Sequence, residues 1–276
     1  MKAKHRFTEK APVGAAVVLL LTESLLQAVI AAVLKVTGLL NALPPDTAEQ
    51  IGMILAAVLF LLLMRAWYAP QYRGTLNSGL SGKETLLVML PALVYSLIVI
   101  VVTLLQYSFF FQPSFRYAVM GLVAGIVEET VFRVTVIPVC MGFLKGEKRI
   151  WLLPTVTAVV FGLSHLGNVA SGATLTNGVT QVIVTGMAGF SYGVLFVVTG
   201  SAVPGIIIHS VFDFFCLAAD PSLENGIMTT TMAPWEIIFN LVLAMALAAS
   251  AVVVLRRIGT DRILTVWRKK WSQAED

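Results

Sequence analysis

Gly125-Ile126-Val127-Glu128-Glu129-Thr130-Val131-Phe132-Arg133 sets two carboxylates and a guanidinium inside an apolar run. A charged side chain at bilayer depth costs roughly 2.5–3.5 kcal/mol even on insertion scales, so these three groups need partners, water or both. Adjacent residues of a helix point about 100° apart, so Glu128 and Glu129 do not share a face. Arg133 follows Glu129 by four residues, the favourable direction for an ion pair. Glu129 and Arg133 are therefore expected to form a structural ion pair and to leave Glu128 facing something else. The plainer alternative is a buried salt bridge beside a spare, uncharged Glu. Intramembrane ionisable groups are functional candidates by default.

The surrounding composition says what kind of chain holds this stretch. Of 276 residues, 58% are hydrophobic and 12% charged, with a mean hydropathy of +0.87. Those values exclude a soluble globular protein and a disordered one. They indicate an all-α polytopic membrane protein, a single transmembrane domain over 1–276. The net charge of +4 and a pI near 9.1 do not indicate nucleic acid, because the cations flank apolar segments and serve orientation in the lipid bilayer. Cys140 and Cys216 lie in or beside apolar segments and suggest neither a disulfide framework nor a thiolate metal site.

Windows of about 20 apolar residues can cross the hydrocarbon core. Eight are present, at 12–34, 51–67, 85–107, 117–137, 150–166, 179–198, 203–219 and 235–255. The run that opens at residue 11 imitates a signal peptide but is too long for one and reads as a retained first helix. Sixteen of the 19 Lys and Arg fall in the N-terminal arm (Lys2, Lys4, Arg6, Lys10), the second-to-third connection, the fourth-to-fifth connection and the C-terminal tail. Lys35 and Arg116 fall on the other side, and Arg133 within the membrane. The positive-inside rule then predicts cytoplasmic termini, in agreement with an even number of spans. Compactness without soluble extensions points to a bacterial plasma membrane.

Three further features are structural on this reading. Gly121-x-x-x-Gly125 and Gly189-x-x-x-Gly193 place small residues on one helix face for close packing. The tail at 256–276 sets Ile263, Leu264, Trp267 and Trp271 on one face and basic residues elsewhere, the pattern of an interfacial amphipathic helix on anionic lipid. Glu23, beside Thr22, Ser24 and Gln27, reads as a hydrogen-bonded structural acid.

Two spacings complete the polar set: Phe161-x-x-x-His165 and His209-x-x-x-Asp213, the latter putting both polar residues on one helix face. At ~1.5 Å per residue, Glu128, His165, His209 and Asp213 lie at ~10–22 Å from the cytoplasmic side, one slab near mid-membrane. Four polar groups at one depth predict a shared, water-containing cavity. There a glutamate beside an imidazole can take a proton from water and make a nucleophile. A second histidine can donate a hydrogen bond where an oxyanion develops. That is peptide hydrolysis without a covalent intermediate. No Gly-x-Ser-x-Gly and no His-Glu-x-x-His is present. No cofactor is required, although Glu128, His165 and His209 could ligate Zn²⁺.

Glu128-Glu129-x-x-x-Arg133, Phe161-x-x-x-His165 and His209-x-x-x-Asp213, in that order on separate helices, resemble the three motifs of the CPBP family. That family groups CAAX prenyl proteases of the Ras-converting type with bacteriocin-processing and immunity proteins. The resemblance covers the motif-bearing core, about 117–219. It implies an eight-helix intramembrane glutamic endopeptidase acting on a membrane-associated peptide or protein. In that analogy Glu128 and His165 activate water, while His209 and residue 213 form the oxyanion site. The eukaryotic-type enzymes carry Asn in the third motif where this chain carries Asp213. A carboxylate repels an oxyanion, so Asp213 could instead orient His209. Two other functions fit the sequence: a non-catalytic scaffold or immunity protein of the same family, and a proton-coupled transporter. The transporter would call for inverted repeats, and none is visible.

Overall fold

The computed structural model describes residues 6–224 and 226–272. Lys2, Lys4 and His5 lie outside the described residues, as does the end of the tail, 273–276. The chain is nearly all helix. In order, the helices are α1 (Arg6–Lys10), α2 (Pro12–Thr37), α3 (Pro45–Tyr68), α4 (Gly82–Gln106) and α5 (Phe115–Leu122). Two π-helical segments follow, Val123–Glu128 and Thr130–Val134, and then α6 (Ile137–Phe143), α7 (Arg149–Ser164), α8 (Gly167–Ala170), α9 (Leu175–Thr199) and α10 (Val203–Ala219). A two-stranded hairpin, β1 (Leu223–Glu224) with β2 (Ile227–Met228), leads to α11 (Pro234–Ile258) and α12 (Thr260–Lys270).

Among the described residues, six helical stretches are long and apolar enough to cross a membrane: α2, α3, α4, Arg149–Ala170, α9 and α11. Their outward faces carry rows of large apolar residues, such as Val17, Leu21 and Leu25 on α2 and Ile238, Val242 and Met245 on α11. A soluble protein does not expose contiguous apolar surface of this extent. The chain is an integral membrane protein.

Two of the eight windows depart from the expectation. The stretch at 117–137 is not one regular helix. It widens into π turns, as in the bond from Thr135 N to Thr130 O at 3.1 Å, and breaks at the turn over Thr135 and Val136. It then restarts as α6, where Pro138 occupies the first turn. Proline lacks a donor and is tolerated only there, so its position allows a new helix to begin and not the old one to continue. The window at 203–219 is a helix of 17 residues, roughly 26 Å long at 1.5 Å per residue, which is short for a span.

The tail also differs from expectation. α12 does turn one face apolar, but that face packs into the protein and not into lipid. Ile263 and Trp267 are fully buried. Trp267 Nε1 donates to Val197 O and Trp271 Nε1 to Pro138 O, each at 2.8 Å. Trp271 stacks on Tyr72, with ring centroids 4.5 Å apart, and meets Tyr68 and Phe143 edge-on. An indole prefers a site where its ring is dry and its N–H has an acceptor, and the protein supplies both. Arg262 and Lys269 remain exposed.

The small-residue motifs act in packing. A Cβ on Gly121 would fall 2.6 Å from Ser210 O, and one on Gly125 2.5 Å from Ile206 O, so α10 rests directly on the backbone of α5 and the first π segment. On α9, Gly193 meets Pro154 Cα at 3.0 Å from its built Cβ.

Candidate active site

The π segments set the two glutamates on different tasks. A π turn admits one extra residue per hydrogen-bonded ring and often marks a functional position. Glu129 points into the protein and is 2% exposed, while Glu128 keeps 31% of its side chain exposed to a cavity. Arg133 is fully buried, with Nη1 3.2 Å from Glu129 Oε1. Its Nη2 donates to Gly189 O at 3.3 Å, and its guanidinium carbon lies 4.2 Å from the centre of the Phe161 ring. A Cβ at Gly189 would come 2.8 Å from Arg133 Nη2 and 2.7 Å from Phe161, so only glycine admits this arrangement. On the other side Gly205 of α10 leaves room for the Glu129 carboxylate, 3.2 Å from its built Cβ.

Glu129 has a second partner that the sequence did not suggest. Its Oε1 accepts from His209 Nδ1 at 3.1 Å. A carboxylate can only accept, so Nδ1 carries a proton and Nε2 is the nitrogen that faces the cavity. His209 Nε2 lies 3.8 Å from Glu128 Oε2. The imidazole is clamped by Tyr192, whose ring stacks on it at 5.0 Å. Thus the buried pair of Glu129 and Arg133 also sets the tautomer and the angle of His209. Asp213 lies one turn further along α10 and makes no side-chain hydrogen bond among the described residues. The partner of His209 Nδ1 is Glu129 and not Asp213.

His165 caps the C-terminus of α7. Its Nδ1 is 2.9 Å from Phe161 O. A carbonyl only accepts, so here too Nδ1 holds the proton and Nε2 is available to the cavity. The Phe161 ring meets His165 edge-on at 4.8 Å and His209 at 5.9 Å. One aromatic ring therefore stands between the guanidinium and both imidazoles.

The four expected groups come together. Glu128, His165, His209 and Asp213 line a cavity of about 330 Å³ between α4, α7, α9, α10 and α11. Glu128, His165 and Asp213 also line a second lobe of about 490 Å³, bounded by α3, α5 and the hairpin. Sequence reasoning missed Tyr95, Tyr192 and Gln181, which line the first lobe. Gln181 also faces the second lobe, with its Oε1 accepting from Asn168 Nδ2 at 2.9 Å. No local spacing marked these residues, because their helices reach the cavity through tertiary packing alone. Glu23 lines neither lobe. It is fully buried in α2, with one oxygen accepting from Gln27 Nε2 at 2.6 Å.

Chemically, the arrangement offers a carboxylate, two imidazole Nε2 atoms and a second carboxylate around polar space, beside a neutralised Glu129 and Arg133 pair. The donors that could hold Zn²⁺ do not converge: among the described residues no three His, Cys, Asp or Glu side chains are grouped to hold a metal ion. Cys140 and Cys216 are free thiols.

No curated protein and no solved structure matches the chain. Residues 110–215 match the family described as type II CAAX prenyl endopeptidase Rce1-like, a family of proteases. The matched stretch holds all three motifs and every residue of the network around Glu129. A lipid bilayer and a membrane-associated substrate go with that family and with the apolar helices. Over this stretch, which holds the three motifs, the chain is similar to that CAAX protease family.

Proposed function

We propose that this protein is an intramembrane glutamic endopeptidase that hydrolyses a peptide bond of a membrane-associated protein or peptide. The observation that carries the reading is the division of labour between adjacent residues. Glu129 is bound on both sides by Arg133 and His209, whereas Glu128 faces the cavity 3.8 Å from His209 Nε2.

A water held between Glu128 and His165 Nε2 gives a proton to the Glu128 carboxylate and attacks the scissile carbonyl. The developing oxyanion meets His209, which in its doubly protonated form donates from Nε2 while Glu129 holds Nδ1. Glu128 then passes its proton to the departing amine, and the C–N bond breaks. Asp213 is a cavity carboxylate that helps balance the charge of the two imidazoles. Water activation needs no metal in this scheme. With the basic segments on the inner side, both termini are cytoplasmic.

Glu128→Gln keeps the shape of the side chain but cannot take the proton. Cleavage of the native substrate should fall by at least ~10²-fold, with binding and folding retained. A variant that cleaves at the wild-type rate would remove Glu128 from the mechanism. Activity lost on chelation and restored by Zn²⁺ would make Glu128 a ligand or a metal-assisted base. A scaffold protein would keep its cellular effect with Gln at 128, and a transporter would never yield cleaved peptide.

A further inference from the structure

We infer that the catalytic cavity is served from the side of the membrane away from the cytoplasm, so that its substrate is a peptide segment displayed at the outer face. This rests on the protease reading above for the word substrate, and on the following geometry for the side.

Hydrogen bonds identify which connections share each end of the bundle. At one end, Arg73 N donates to Lys270 O at 2.9 Å, Gly79 N to Thr199 O at 2.6 Å and Ala202 N to Thr75 O at 2.9 Å. Trp271 reaches Pro138 there as well. The connections after α3, α6 and α9 and the helix α12 therefore lie together. At the other end, Gln112 N donates to Ala218 O at 2.8 Å. Tyr107 Oη donates to Ser222 at 3.2 Å, and Asn177 Nδ2 donates to Thr230 O at 2.7 Å. Gln106 Nε2 donates to Glu236 across the gap between α4 and α11.

The cations divide between the same two ends. Arg73, Lys145, Lys148, Arg262 and Lys269 belong to the first end. At the second lie Lys35 and Arg116, the latter 2.5 Å from Asp46. By the positive-inside rule the first end is cytoplasmic.

Both lobes of the cavity open at the second end. Their rims come from Tyr107, Asn168, Asp220, Trp235 and Glu236 together with the hairpin. Among the described residues, none from the connections of the basic end lines either lobe, and neither does any Lys or Arg. Below the catalytic groups the way to the basic end is closed. Tyr192 through Ala202 form an unbroken buried run, and Ile208, Arg133 and Val134 are buried beside it. A rim that carries Asp220 and Glu236 and no cation disfavours an acidic peptide or a free terminal carboxylate. Its Trp235, Phe239 and Met232 suit apolar side chains. The occupant that fits is an internal, apolar or basic stretch of a membrane-anchored chain.

Thiol labelling tests the side directly. In a Cys140→Ala, Cys216→Ala background, Met232→Cys places a thiol on the rim and Glu147→Cys one on the exposed basic end. A membrane-impermeant maleimide applied to intact cells should label Met232→Cys, and Glu147→Cys only after permeabilisation. Protein folded in both variants is checked by size-exclusion elution against wild type. Labelling of Met232→Cys only after permeabilisation would overturn the inference, as would labelling of both sites from one side. An amidated apolar peptide added outside should slow the Met232→Cys reaction more than the same peptide as a free acid. Equal effects, or none, would overturn the assigned substrate chemistry. Labelling does not depend on turnover, so loss of the protease reading through Glu128→Gln would leave the sidedness result standing.

Discussion

The end of the molecule that carries α12 is filled with aromatic rings, whereas the end that carries the hairpin is hollow. At the first, Tyr68, Tyr72, Trp267 and Trp271 are buried in one cluster with Phe60 and Phe196. Indole N–H groups and the Lys270 ammonium are aimed at backbone carbonyls. At the second, scattered hydrogen bonds hold the connections together, such as the three that join Asn177 to the backbone of the α10–α11 connection. Filling an end with rings maximises contact and leaves no room for a reactant. Leaving the other end hollow sacrifices contact and lets Glu128, His165 and Asp213 line an open cavity. Between the two lies the buried cluster of Glu129, Arg133 and His209, which belongs to the packed half by burial and to the hollow half by function.

The contrast predicts that substitutions in the packed half reduce stability and those in the hollow half reduce activity. Trp271→Ala should give the largest loss, about 3–5 kcal/mol of stability by analogy with other buried aromatic truncations. It should leave turnover per folded molecule unchanged. Thermal unfolding in detergent, read beside a cleavage assay, checks both halves of the statement. A stable Trp271→Ala protein would mean that α12 does not anchor the bundle.

Arg133→Ala sits on the boundary and should affect both. It takes the permanent cation away from the buried Glu129 carboxylate, which keeps only its bond to His209, and breaking comparable buried pairs costs about 3–5 kcal/mol. It also loosens the group that holds His209. Expression yield and melting temperature report the first effect, and turnover of the surviving folded protein reports the second. Unaltered stability would show that the ion pair contributes nothing.

In the hollow half, Glu128→Gln should reduce cleavage by at least ~10²-fold. Its melting temperature should stay close to that of wild type, because Glu128 holds no element in place. A large drop in melting temperature with this variant would erase the contrast. Asn177→Ala removes three hydrogen bonds to the α10–α11 connection, each of about 1 kcal/mol at most in net terms. Limited proteolysis should then cut that connection faster, with the global unfolding temperature nearly unchanged.

The smallest effect is a slope. Burial, with Arg73 nearby, holds the Lys270 ammonium down to about 8, against about 10.4 for an unfolded lysine. Between those values the unfolded chain binds more protons than the folded one, so stability rises with pH across that window. Below about 8 both states are charged and the burial penalty is fully present. In Lys270→Met the melting temperature should lose this rise between pH 8 and 10. An identical slope in the variant would mean that Lys270 is not the group responsible.

How far residues could be read without coordinates depended on the range of the interaction concerned. The i,i+4 spacing of Glu129 and Arg133 and the common depth of Glu128, His165, His209 and Asp213 are properties of single helices and of bilayer thickness. Both could be argued from the chain alone. The bond from Glu129 to His209 joins residues 80 apart, and no local rule points to it. The same holds for Tyr192 stacked on His209 and for Phe161 set between a guanidinium and two imidazoles. The tail misled for a related reason: amphipathic periodicity shows that α12 needs an apolar surface, but not whether lipid or protein provides it. The π turns at 123–134 escaped because hydropathy does not distinguish one helical ring size from another.

Sequence by itself determined that the chain lives in a membrane, that its cations lie mostly on one side and that polar residues of three helices share one depth. Composition and one-dimensional spacing suffice for these, since a bilayer acts as a planar solvent that sorts residues by depth. Tertiary structure alone decided which glutamate is tied and which is open, which nitrogen of each histidine faces the cavity, and at which end that cavity opens. Those depend on the angle at which α10 rests on the glycines of α5 and the π segments, and the positions of side chains across a helix contact are set by both partners at once.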